Sequence, residues 1–118
     1  MTNWYDRAGN PIDALTANNL LGDRKYARVA FTRITSASDP SVEYRVSTVW
    51  LGLDHNWGGG EPLLFETMSF GGGEQQGDSQ WRWSTEDAAR AGHAEIVAVV
   101  AATVTDEQVE DLDDWPTA

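Results

Sequence analysis

Few residues in this chain are suited to chemistry, and they stand apart in the sequence. Asp54 and His55 adjoin where an apolar run ends, in "LGLDHNWGGGEP" (51–62). Glu66 follows within a second apolar run, and His93 lies in an alanine- and valine-rich segment. An imidazole oriented by a carboxylate can act as a general base. Two imidazoles and a carboxylate can hold a divalent metal with open positions. The candidates for such a centre are His55, His93 and Glu66, with Asp54 as a further ligand. Their spacing gives little support, because no HExxH, Cys–His set or DxDxDG loop is present. The structural alternatives weigh more. His93 suits a core histidine, Glu66 a partner of Arg28, Arg45 or Arg82, and Asp54 a loop cap bonding to backbone two residues on. No catalytic residue is assigned on this basis, and no cofactor is expected.

The elements that must position these residues follow from periodicity. "YDRAGNPI" carries a Gly-Asn-Pro turn and predicts a small hairpin or tight turn. Asp13 can cap a short helix, "ALTANNLL", closed by Gly22 in the left-handed conformation. "KYARVAFTRIT" alternates as a strand, with Ala27, Val29 and Phe31 opposite Tyr26, Arg28, Ala30 and Thr32. "VEYRVSTVWLGL" alternates more clearly and places Val42, Tyr44, Val46, Thr48 and Trp50 on one face. The two should pair as an antiparallel hairpin. "PLLFETMSF" gives a third strand, with Leu64, Glu66, Met68 and Phe70 on one face and Leu63, Phe65, Thr67 and Ser69 on the other. "QWRW" gives a fourth.

"STEDAARAGHAEIVAVVAATV" is the strongest helix signal. Ser84 and Asp87 form a capping box, and Ala89, His93, Ile96, Val100 and Val104, widened by Val97, form the apolar stripe. The expected fold is α+β: an antiparallel sheet of about four strands with the C-terminal helix packed on one face. Residues 1–104 form one domain, and 105–118 an acidic tail. Neither glycine run contains GK[ST] or opens into a helix, so a phosphate-binding loop is rejected.

Charge is the strongest bulk signal. Nineteen acids face eight bases, for a net charge of −11. Such a field repels phosphate backbones and anionic membranes, so direct nucleic-acid or membrane binding is disfavoured. Two readings remain: the acids serve solubility, or they complement a protein partner with a basic surface. Residues 106–114, "DEQVEDLDD", hold six acids and no base, which concentrates about half of the net charge in a short segment. Val109, Leu112 and Trp115 run through it at a spacing of three, as in one more helical turn or a segment that folds on a partner. Among the six tryptophans, Trp57 sits in a Gly-rich loop and is the hardest to bury. Asp54, His55, Trp57 and Trp115 are therefore the candidate binding residues. Absence of cysteine excludes disulfides and thiolate chemistry. "MTNWYDRAGN" lacks a basic start followed by an apolar block, so no secretion signal is expected.

"YDRAGNPI", "STVWLGLDHNWGGGEPLLFETMSF" and "STEDAARAGH" together resemble a family of small proteins from tailed phages of actinobacteria and from prophages of their hosts. The likeness covers most of the chain up to about Val100. This sequence departs from it in "WRWST", with Trp83 where a tyrosine is usual, and in the acidic tail. The resemblance implies a phage-encoded accessory protein in the host bacterial cytoplasm; it implies no activity. The leading expectation is a non-enzymatic binding module that modulates a host protein, with a defence component among the candidates. The alternatives are a small metal-dependent or acid–base enzyme using His55, His93 and Glu66, and a minor structural phage protein.

Overall fold

A computed structural model describes residues 3–71 and 79–112. Trp115 and most of the second glycine-rich loop lie outside the described residues. The chain opens with a hairpin of β1 (Trp4–Tyr5) and β2 (Pro11–Ile12). Its turn places Gly9 at φ 89°, and the Asp6 carboxylate accepts from the Asn10 amide at 2.8 Å.

Helix α1 (Ala14–Leu21) begins at Asp13, whose side chain accepts from the Thr16 amide. Gly22 is right-handed, at φ −73°, rather than left-handed as expected. The chain needs no reversal there, because Asp23 caps the next helix at once. Its carboxylate accepts from the Lys25 and Tyr26 amides, and α2 (Arg24–Ala27) follows. That cap draws Lys25, Tyr26 and Ala27 out of the strand that alternation alone predicts.

The main sheet contains β3 (Arg28–Ser36), β4 (Glu43–Trp50), β5 (Phe65–Gly71), β6 (Ser79–Trp83) and β7 (Glu107–Asp111). Its order is β6-β5-β4-β3-β7, antiparallel throughout. Helix α3 (Glu86–Ala101) packs against it. The fold is thus α+β as expected, with five strands instead of about four. The added strand comes from the acidic segment, where a tail or a helical turn was expected. Its single apolar residue, Val109, hides the alternation of a strand. The open edge of β3 decides the matter by supplying a ladder from Thr32↔Asp111 to Ser36↔Glu107.

Helix α3 starts one residue later than the expected Ser84 box. Thr85 is the cap, and its hydroxyl accepts from the Ala88 amide at 3.1 Å. Residue 83 is still held in extended pairing, since its carbonyl accepts from the Leu64 amide. Ala89, Gly92 and His93 form the buried face, and Val104 joins the core from the turn beyond the helix.

The core has two apolar clusters. One contains Val29, Trp50, Leu64, Phe65 and Ala89; the other contains Ile34, Val46 and Val104, with Ile96, Val97 and Val100 against them. A slip of register between Arg28 and Ala30 lets Val29 join the first cluster while Thr32 and Ile34 face α3. Between the clusters lies a buried polar layer: Thr32, Thr48, Thr67 and His93. No helix among the described residues is long and apolar enough to cross a membrane.

Candidate functional site

The polar layer is one continuous chain of hydrogen bonds. The Trp83 indole Nε1–H donates to Thr67 Oγ1 at 2.9 Å. Thr67 and Thr48, directly opposite each other in the ladder, have hydroxyls 2.6 Å apart. Thr48 Oγ1 lies 2.7 Å from His93 Nδ1, and His93 Nε2 lies 2.8 Å from Thr32 Oγ1. Thr32 donates to the Asp111 carboxylate at 2.6 Å. All five strands contribute one member each, and α3 supplies the imidazole that crosses from β4 to β3.

Donor logic fixes every direction in the chain. An indole N–H can only donate, and an ionised carboxylate can only accept. Thr32 gives its proton to Asp111, so it accepts from His93 Nε2–H. Neutral His93 then has a bare Nδ1 that accepts from Thr48. Thr48 accepts from Thr67, and Thr67 accepts from Trp83. The tautomer and hydroxyl rotors are assigned by this logic. No buried side-chain polar atom among the described residues is left without a partner. Burial holds the His93 pKa below its usual 6.5; the Asp111 charge opposes that shift, and Arg90 adds to it.

Burial allows the layer little contact with solvent. Thr48 and Thr67 are fully buried, and His93 is 6 % exposed. At the Asp111 end the chain meets a groove of about 420 Å³ between α3 and β7, with Arg90, Val97, Val109 and Leu112 in its walls.

The sequence candidates do not meet in one centre. His93 spends both ring nitrogens on threonines. Glu66 faces away from α3 and pairs with Arg82 at 3.1 Å, the last of its three candidate arginines. The pleat explains this: Thr67, the next residue in β5, takes the inward position. Asp54 closes its loop, because one carboxylate oxygen accepts from the Asn56 amide at 2.7 Å and the Leu63 amide at 3.0 Å. His55 Nδ1–H donates to the Leu53 carbonyl at 2.7 Å, which fixes that proton and leaves Nε2 as the basic nitrogen. The His55 ring lies 5.5 Å from the Trp57 ring, and Trp57 is 75 % exposed at the loop tip. Among the described residues, no three His, Cys, Asp or Glu side chains gather as a metal set would.

A second cavity, of about 590 Å³, lies at the start of α3. Arg7, Tyr26 and Glu86 in its wall are engaged with one another. Arg7 donates to Glu86 at 2.8 Å and to the Tyr26 carbonyl at 2.9 Å, and the Tyr26 hydroxyl accepts from the Arg7 amide. The Arg7 hydrogen bond holds the Glu86 pKa below 4.5 against the opposing effect of burial.

The threonines, Trp83 and Asp111 went unrecognised as a set in the sequence. Thr48 and Thr67 each interrupt an apolar strand face, which is the signal that a buried polar partner must exist. Asp111 gave no such signal, because its strand was not visible. No family model, curated protein or solved structure matches the chain.

Proposed function

We propose that the chain is a non-enzymatic binding module: a phage-encoded accessory protein that acts in the host bacterial cytoplasm on a protein with a basic surface. The observation that carries this reading is β7. All five of its residues are exposed, three of them are acids, and it forms an edge of the sheet. The reading is supported further by three of the four candidate catalytic groups, which are held by neighbours within the fold. Glu66, Asp54 and His93 are each engaged by a neighbour, and Thr48 and Thr67 are sealed from solvent. Trp57 and His55 offer a separate aromatic contact at the loop tip.

The test is capture of a host protein by the purified chain at low and high salt, beside a Glu107→Lys/Glu110→Lys variant. The expected result is a specific complex that dissociates as salt rises and is lost in the variant. Capture of the same protein by the charge-reversed variant would end this reading.

A further inference from the structure

We infer that the outer edge of β7 takes an extended basic segment of a partner as a sixth, antiparallel strand, with the residue pattern basic–x–apolar–x–basic. This rests on the binding-module reading and specifies its partner.

Backbone polarity of β7 supplies the first part of the argument. The Leu112 amide donates to the Phe31 carbonyl, and the Asp106 carbonyl accepts from the Ala37 amide. Even-numbered residues of the strand therefore turn their backbone groups toward β3. Backbone groups alternate in direction along a strand, so Glu107, Val109 and Asp111 present N–H and C=O outward. No second strand pairs with this edge among the described residues.

Side chains supply the rest. Glu107, Val109 and Asp111 lie on the α3 side, since their ladder partners are Ser36, Ile34 and Thr32. An added strand places its own side chains directly opposite these three. Opposite Glu107 and Asp111 a basic residue is favoured. Opposite Val109, half exposed beside the α3–β7 groove, an apolar one is favoured. A second copy of this chain is a poor occupant. Antiparallel self-pairing about Val109 sets Glu107 against Asp111, and like charges directly opposite repel. The acids thus guard the edge against self-association and select a basic strand in the same stroke.

The probe is a labelled peptide, Thr-Lys-Thr-Val-Thr-Lys-Thr, titrated into the full chain by fluorescence anisotropy and amide NMR. Binding is expected, with the largest amide shifts at Glu107, Val109 and Asp111. N-methylation at the peptide valine removes a donor aimed at β7, and binding should fall about tenfold or more. N-methylation at the threonine beside it blocks an outward amide and should cost far less. On the protein side, Val109→Pro removes an outward N–H while sparing the β3 ladder, a placement that edge strands tolerate. It should weaken binding well beyond Val109→Ala. Equal binding of the two N-methylated peptides overturns the inference, as do shifts that map away from β7. Should the salt-sensitive host complex persist in either case, the binding-module reading stands and strand addition alone falls. Peptide binding as expected, without any host complex, overturns the host-partner reading and leaves the edge assignment intact.

Discussion

His93 Nε2 stands 2.8 Å from the Thr32 hydroxyl, whose own proton goes to Asp111. One imidazole on a helix thereby ties the third strand to the edge strand that the chain adds last. The same ring, through Nδ1, reaches Thr48, Thr67 and Trp83. The polar layer between the two apolar clusters is fully paired, and a paired network fixes register where apolar contacts alone would allow slippage.

His93 should be the neutral Nε2–H tautomer at pH 7. Two-dimensional NMR of the imidazole nitrogens reads this directly; a protonated Nδ1 at that pH would contradict the assigned directions. The folded pKa lies below the usual 6.5, so the unfolded chain takes up this proton first as pH falls. The contribution of His93 to stability is complete above about pH 6.5 and is lost as pH falls through the lower folded value. Urea denaturation at pH 7.5 and pH 5.5 should show weaker folding at the lower value. His93→Gln should flatten that difference. The lowered Glu86 acts in a separate range, below 4.5.

Thr67→Val should destabilise by about 1–3 kcal/mol, because the Trp83 indole loses its acceptor and Thr48 loses its donor inside the core. Thr48→Val should cost a similar amount by stranding His93 Nδ1. The double variant should cost clearly less than the two single losses added, since both remove members of one chain. Simple additivity in urea denaturation would show that the hydroxyls act independently.

Gly92→Ala tests the contact between α3 and β6. Alanine favours a helix over glycine by about 1 kcal/mol. Here an added Cβ would clash with the edge of the Trp83 ring. Overpacking of this kind costs about 1–3 kcal/mol, so a net loss of stability and a shift in tryptophan fluorescence are expected. A gain in melting temperature would mean that Trp83 moves aside freely.

Trp57→Ala should leave stability within about 0.5 kcal/mol, since the side chain is 75 % exposed. It should also remove the most exposed tryptophan among the described residues, and with it part of the iodide-quenchable fluorescence. If the loop contributes to partner contact, the variant weakens the salt-sensitive complex while folding normally. Unchanged affinity confines the contact to the β7 side.

The sequence by itself determined the elements whose signal is local. Alternation in "VEYRVSTVW" marked the inward face that β4 uses, and Asp13 capped its helix because a carboxylate two bonds from the backbone reaches free amides unaided. The stripe through Ala89 and His93 likewise announced which side of α3 is buried. Tertiary structure alone decided the rest. Glu66 looked like a partner for His93, but the pleat of β5 gives that inward place to Thr67 and sends Glu66 to Arg82. The segment Glu107–Asp111 became a strand because β3 had an edge to offer, a non-local pairing that no run of acids can encode. At Asp54–His55 the carboxylate ties residues 56 and 63 together, and the imidazole is pinned to Leu53. Spacing along a chain measures proximity within one element. Which side chains face each other across elements is set by register, and register is settled only when the sheet assembles.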